Sequence, residues 1–84
     1  MAKVTVSVQI DVVHYDLDVD FYRERGRDVV DLPERSDDGT PIATIIAAWS
    51  THHDIFLEDA EDQIRELCLE KAADYCRGLG DQRL

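Results

Sequence analysis

The first part of the chain alternates apolar and polar residues, as a half-buried β-strand does. Apolar residues occupy the even positions from Val4 to Val12, and this period of two in β-branched residues predicts a strand. From Val13 to Phe21 the apolar residues occupy the odd positions instead. Because a shift of one residue turns every side chain to the other face of a sheet, this change of parity requires a structural explanation.

Two structures of residues 3–22 explain the change of parity. One is a single long strand with a bulge near Val12 and Val13. The other is a pair of strands joined by a tight reversal near residues 14–18. Only Asp16 or Asp18 offers turn chemistry there, because Gly, Pro and Asn are absent from residues 2–25. The pattern leaves both structures open.

Turn and loop residues then lead to a first predicted helix. Gly26 marks a turn, residues 29–32 form a short third strand, and residues 33–40 are a loop by composition. The apolar residues that follow have the spacing i, i+3, i+4, i+7: Ile42, Ile45, Ile46 and Trp49. This spacing favours a helix over residues 41–53, although the β-branched residues leave a strand over 41–50 as the alternative.

A second, longer helix is predicted for residues 55–77, with Gly78 ending it. At about 100° per residue, one face of this helix collects the apolar side chains. These are Leu57, Ala60, Ile64, Leu67, Cys68 and Tyr75. Strands at about 3–32 followed by helices predict an α+β fold, in which an antiparallel sheet of two to three strands carries one or two helices on one face. We expect residues 1–84 to form a single domain.

Composition adds a strong negative charge to this picture. The chain has 84 residues, of which 19 are acidic and 9 are basic, and its formal net charge is −10. The hydrophobic content of 44% is too high for a disordered acidic tail. The charge argues against direct binding to nucleic acid or to an anionic membrane, and it favours a basic partner.

The acidic residues of the second helix form a regular pattern. Five carboxylates recur every four residues: Glu58, Asp62, Glu66, Glu70 and Asp74. We call this set the acidic ridge; at 1.5 Å per residue it is about 24 Å long. Like charges at i,i+4 destabilise a helix, here by about 1–2 kcal/mol in total at low salt. Leu69 and Ala73 lie among these acids, where an apolar pair would form the dry centre of an interface. The ridge is either a solvated face or a surface aimed at a basic partner.

A second acidic set lies in the strand region. Asp16, Asp18 and Asp20 alternate along the chain, so they project from one face about 6.6 Å apart if the strand continues there. We call this set the aspartate ladder. It either keeps an edge strand soluble or imitates the charge of a phosphate backbone. Three arginines at residues 23, 25 and 27 are expected to pair with the ladder across a hairpin.

Residues suited to catalysis or metal binding do not form a recognised motif. His52, His53 and Asp54 lack the spacing of zinc sites, and Ser50 lies too close to them in sequence for a catalytic triad. The aspartate ladder lacks the glycine-rich loop and lysine that accompany phosphoryl chemistry. We therefore expect a non-enzymatic protein without a metal or cofactor.

The cellular compartment is predicted from what the chain lacks. No continuous apolar run resembles a signal peptide near the N-terminus, and the longest such run, residues 45–49, is too short to span a bilayer. Cys68 and Cys76 are eight residues apart in one predicted helix, too distant to form a disulfide with each other. We expect a cytoplasmic protein.

The order of these features resembles a known class of protein. The strand at residues 3–8, the segment Asp16-Leu17-Asp18-Val19-Asp20-Phe21 and the acid-faced helix are similar to small phage-encoded inhibitors of the anti-CRISPR type. The similarity is one of size, acidity and element order. It implies an inhibitor that acts in the host cytoplasm by occupying a basic surface that normally holds guide RNA or target DNA.

Together these features predict a protein-binding module. Its partner is a basic host protein or nucleoprotein complex, and its contact residues are the acidic ridge, the aspartate ladder and Leu69. The alternative is an accessory, antitoxin-like or homodimeric protein that buries Leu69, Trp49 or Phe56 in an apolar interface. A metal-dependent enzyme is a second alternative, and it would place zinc on His52 and His53.

Overall fold

A computed structural model describes residues 2–82 of the 84-residue chain. Its elements, in chain order, are β1 (Ala2–Ile10), β2 (Val13–Glu24), β3 (Arg27–Asp31), α1 (Ile42–His53) and α2 (Leu57–Gln82). The strands form one antiparallel sheet in the order β1-β2-β3. The predicted α+β fold is therefore confirmed, and residues 42–53 are a helix.

The change of parity marks a hairpin. Residues 3–22 form two strands, and the chain reverses at Asp11 and Val12. The predicted bulge is absent from β1 and β2, and the reversal predicted near residues 14–18 is wrong. Asp11 supplies the turn chemistry, since its φ of 56° lies in the left-handed region that aspartate tolerates. The register pairs Val4 with Val19, so even residues of β1 share a face with odd residues of β2.

A second two-residue turn joins β2 to β3. Arg25 and Gly26 both have positive φ, at 53° and 77°, as a type I′ turn requires. Glycine adopts this conformation without strain, whereas a left-handed arginine costs about 1–2 kcal/mol. The turn therefore carries one unfavourable residue.

Replacing Arg25 with asparagine should stabilise the protein. The new Asn-Gly pair has the strongest preference for a type I′ turn, and we expect the free energy of unfolding to rise by about 1 kcal/mol. Urea denaturation measures the change. The control is Arg25→Ala, which removes the same charge but keeps the backbone strain. Equal stability of the two variants would contradict the explanation.

One hydrophobic core joins all five elements. The face of the sheet that meets the helices carries the buried side chains Val4, Val6, Val8, Ile10, Leu17, Val19 and Val30. Ile45 of α1 packs on this face. The buried stripe of α2 consists of Ala60, Ile64, Cys68 and Ala72. Both helices lie on the same side of the sheet, so the other face of the sheet is left without a helical cover.

Helix α2 differs from its prediction in its ends and in its buried face. It begins at Leu57 instead of residue 55, and it continues through Gly78 to Gln82. A glycine inside a helix costs only about 1 kcal/mol relative to alanine, which does not suffice to end it. Leu57 and Tyr75 were predicted to lie in the core, but they are 59% and 57% exposed. Neither helix within residues 2–82 has a stretch apolar enough to cross a bilayer.

Candidate functional site

The acidic ridge lies on the outer face of α2. All five of its carboxylates are exposed. Each is two positions from a residue of the buried stripe, and two positions correspond to about 200° around a helix. Glu66, for example, is two positions from both Ile64 and Cys68, which are fully buried. Because the stripe holds α2 against the sheet, the ridge points away from the rest of the protein.

The basic residues of α2 leave most of the ridge without a counter-ion. Arg65 donates a hydrogen bond to the carbonyl of Val30 (3.4 Å), and Lys71 donates one to the carbonyl of Ser7 (3.3 Å). Both cations are therefore directed toward the sheet, on opposite flanks of the helix. Among the side chains of residues 2–77, the one ion pair on the ridge joins Arg77 to Asp74, at 3.6 Å.

The aspartate ladder lies on the face of the sheet that carries no helix. Its three residues alternate along β2 with buried Leu17 and Val19. Lys3, Thr5 and Ser7 of β1 lie opposite Asp20, Asp18 and Asp16 in the register. The Thr5 hydroxyl donates a hydrogen bond to Asp18 (2.7 Å), and this bond lowers the pKa of the Asp18 carboxyl. Polar partners within the sheet thus stabilise part of the ladder.

The loop between β3 and α1 adds acids to the ladder that the sequence pattern missed. The amide of Asp37 donates a hydrogen bond to the carbonyl of Asp16 (2.9 Å), which places Asp37 beside the ladder. A hydrogen bond with Asp18 raises the pKa of Asp37, and the nearby charges of Asp16, Asp18 and Asp38 add to the effect. The loop composition predicted a turn here, but only the folded chain shows which strand the turn contacts.

The adjacent acid Asp38 has a different environment. Its carboxylate accepts hydrogen bonds from the hydroxyls of Ser36 and Thr40 and from the amide of Thr40 (3.1 Å). These donors lower the pKa of Asp38. The ionised carboxylate of Asp38 therefore stabilises the conformation of the loop.

Replacing Asp37 with asparagine should raise the melting temperature at pH 7. The asparagine amide donates a hydrogen bond to Asp18 at any pH, and the substitution removes the repulsion between Asp37 and the neighbouring carboxylates. The gain should shrink on acidification, because the raised pKa of Asp37 means that a proton bound there favours the folded state below that pKa. Thermal unfolding between pH 3 and pH 7 tests this. An equal gain in the matched control Glu34→Gln would attribute the effect to net charge alone.

The structure separates the two acidic surfaces. The aspartate ladder projects from the uncovered face of the sheet, while the acidic ridge projects from the helix layer on the opposite side of the core. A single flat partner surface therefore contacts one of them at a time. The ridge is the more exposed of the two, since Asp18 and Asp20 are half-buried.

The arginines near the second turn do not pair with the ladder, contrary to the prediction. Arg23 forms an ion pair with Asp28 across the hairpin (3.2 Å). Arg27 lies opposite Glu24 in the register, and Arg25 occupies the turn. The ladder belongs to the part of β2 that pairs mainly with β1, so its cross-strand neighbours come from β1, except that Asp20 also lies opposite Asp31 of β3.

The apolar residues proposed for an interface have different environments. Leu69 is half-buried on the flank of α2 next to β3, where it packs against the core and lines a groove together with the ridge carboxylates of Asp62 and Glu66. Trp49 is also half-buried, and its indole N–H donates to Gln63 (2.9 Å). Phe56, in the connection between the helices, is 80% exposed.

The histidines and the serine considered for metal binding or catalysis belong to α1 and to neither acidic surface. His52 and His53 end α1, where the ring of His53 packs against that of Trp49 at a tilt of 40°, with the centroids 4.3 Å apart. The hydroxyl of Ser50 donates to the carbonyl of Ile55. Cys68 is buried in the core, and burial raises the pKa of its thiol to about 11. Within residues 2–82, no three His, Cys, Asp or Glu side chains form a group that could hold a metal ion.

Comparison with known proteins assigns the chain to no family. No protein-family model matches it, and no curated protein or solved structure is significantly similar to it. The class of protein is therefore argued from the fold and from the two acidic surfaces.

Proposed function

We propose that this protein is a non-enzymatic module that binds another protein through the acidic ridge. The observation that carries the proposal is the arrangement of charge on α2. Four of the five ridge carboxylates have no ion-pair partner among the side chains of residues 2–77. The helix cations Arg65 and Lys71 contact strand carbonyls instead. An exposed row of uncompensated charge is suited to steering and orienting a partner of opposite charge.

The spacing of the ridge supports a basic site that normally holds nucleic acid. Successive carboxylates are about 6 Å apart along the helix axis, and the row is about 24 Å long. A nucleic-acid strand also presents one negative charge at regular intervals along a line. The ridge belongs to a helix whose opposite face is anchored in the core, so the backbone positions that carry its carboxylates are fixed before binding.

In its most specific form, the proposal is a phage-type inhibitor similar to anti-CRISPR proteins. Such an inhibitor occupies the guide-RNA or target-DNA surface of a host nucleoprotein and so prevents nucleic acid from binding. The protein itself would not bind nucleic acid, because its charge of −10 repels phosphate. The site of action would be the host cytoplasm.

Affinity capture from a host lysate, with and without nuclease, tests the proposal. We expect a basic nucleic-acid-binding protein to be retained in both samples, since the contact is with protein and not with bridging nucleic acid. With the purified partner, affinity should fall steeply between 50 and 500 mM salt, as expected for contacts between exposed charges (a Debye length of about 10 Å at 0.1 M). Binding that is independent of salt would contradict ridge docking.

Phe56 supports a second candidate, an accessory or homodimeric protein with an apolar interface. A phenylalanine that is 80% exposed gains from burial in a partner. Light scattering after size exclusion separates the two candidates. A dimer that persists in high salt and dissociates in a Phe56→Ser variant would favour the apolar interface, whereas a monomer would favour the ridge.

A further inference from the structure

We propose that the free edge of β3 binds an extended, basic segment of the partner as a fourth strand of the sheet. This inference rests on the proposed function, because it takes the partner to be a basic protein. It adds a second contact to the acidic ridge and specifies the conformation of the segment that makes it.

The register of the hairpin shows which groups are free. Glu24 and Arg27 close the two-residue turn, and such a closing pair exchanges both of its backbone hydrogen bonds. Because these bonds alternate along the strand, Asp28 and Val30 direct their amides and carbonyls away from β2. The contact between the carbonyl of Val30 and the guanidinium of Arg65 agrees with this direction, since Arg65 belongs to α2 and lies outside the sheet.

A groove runs beside this edge, between β3 and α2. Its volume is about 330 Å³. Val29, Val30 and Leu69 give it apolar surface. Its charged lining consists of the carboxylates of Asp28, Asp31, Asp62 and Glu66 and the single guanidinium of Arg65. An added strand would direct alternate side chains toward the helix side of the groove, where Leu69 lies with Asp28, Asp62 and Glu66, and the others toward Val29 and Asp31.

Charge complementarity identifies the occupant. Asp28 is already paired with Arg23, so three carboxylates against one guanidinium leave an excess of negative charge around this strand edge. This excess suits a segment with lysine or arginine at alternate positions. A second copy of this chain would bring the same acids into contact with each other. At the opposite edge of the sheet, β1 carries Lys3 and no acidic residue, so charge selects β3 over β1 for a basic segment.

The side chain of Arg65 occupies one hydrogen-bonding group of this edge, and an incoming strand would displace it. Its hydrogen bond to the carbonyl of Val30 is long, at 3.4 Å. A backbone amide of the incoming strand would take its place on that carbonyl. The released guanidinium would then be free to pair with Asp62 or Glu66, which line the same groove.

A peptide of seven alternating lysines and valines is the probe for this edge. We expect the unmodified peptide to bind, as measured by fluorescence anisotropy. Two isomers, N-methylated either on the valine amides or on the lysine amides, have the same charge and composition. One isomer should bind at least tenfold more weakly than the other, because only one set of amides faces β3. Equal affinity of the two isomers, or no binding of the unmodified peptide, would overturn the proposal.

Substitution of Asp28 tests the protein side of the contact. Asp28→Pro removes an amide that faces outward and therefore no hydrogen bond to β2. Asp28→Ala is the matched control, since it removes the same carboxylate and frees Arg23 in the same way. The proline variant should bind the peptide at least tenfold more weakly than the alanine variant. Equal binding by two folded variants would overturn the proposal; if the proline variant does not fold, the N-methyl isomers decide.

The ridge variant Glu70→Lys/Asp74→Lys separates this inference from the proposed function, because neither residue lines the groove. If this variant still binds one N-methyl isomer more weakly than the other, the result supports the β3 site even if ridge docking fails. Conversely, salt-sensitive binding of the whole partner without any discrimination between the isomers overturns the β3 site and leaves ridge docking intact.

Discussion

Replacing Ile64 with alanine should lower the free energy of unfolding by about 2–5 kcal/mol. Ile64 is fully buried in the centre of the stripe that holds α2 on the sheet. Its truncation removes apolar contacts and leaves a cavity between the two layers, and the core of such a short chain has few neighbouring side chains that could fill it. Since the free energy of unfolding of a folded protein is only about 5–15 kcal/mol, this substitution would remove a large part of it. Chemical denaturation followed by circular dichroism measures the loss.

Two exposed positions of α2 are the controls for this prediction. The helical periodicity places Leu57 and Tyr75 on the buried face, but they are 59% and 57% exposed. Leu57→Ala and Tyr75→Ala should therefore each change stability by only about 0.5 kcal/mol or less. A loss as large as that of Ile64→Ala in either control would mean that α2 packs on the sheet with a different face.

Reversing charge on the acidic ridge should have the largest effect on binding. We expect Glu70→Lys/Asp74→Lys to weaken binding to the basic partner by about 100-fold or more, since like charges brought together at an interface cost several kcal/mol. The fold should persist, because both side chains are exposed. The lysine introduced at position 70 would also follow Glu66 by four residues, a favourable helical pair of about 0.2–0.5 kcal/mol. Titration calorimetry at low salt measures the affinity, and circular dichroism checks the fold.

A variant with the same change of charge elsewhere is the control. Glu24→Lys/Glu34→Lys reverses two exposed carboxylates at the end of β2 and in the loop before α1. This variant should retain most of the affinity, because its charges lie outside the ridge. Similar losses in the two variants would show that overall charge, and not the ridge, drives binding. Unchanged binding in the ridge variant would remove the ridge from the proposed function.

The sequence pattern contained more information about the first hairpin than its turn residues did. The parity of apolar positions changes between Val12 and Val13, and the chain reverses at Asp11 and Val12. In a two-residue hairpin, facing residues have opposite parity, so the change itself locates the turn. Asp16 and Asp18 do not form the turn, because a left-handed backbone at Asp11 is sufficient to reverse the chain.

The candidate site was predictable in its composition but not in its arrangement. The i,i+4 spacing placed the ridge on one line, because a helix has the same geometry wherever it lies in a fold. The neighbours of each acid depend on which strands and loops pack together. Asp37 lies beside Asp18 because the loop crosses β2 beyond the end of β3. No local sequence pattern encodes that contact.

The sequence by itself determined the α+β class, the long second helix and the existence of two acidic sets, and it favoured a third strand and a first helix without deciding them. Periodicity is a local property of the sequence, and burial of the apolar face directly stabilises the helix or strand that has this period. The tertiary structure alone decided which helical face is buried, that the two acidic sets point in opposite directions, and that Arg65 and Lys71 contact strand carbonyls. These outcomes depend on how helices are placed on a sheet, and that placement is set by packing between residues far apart in the chain.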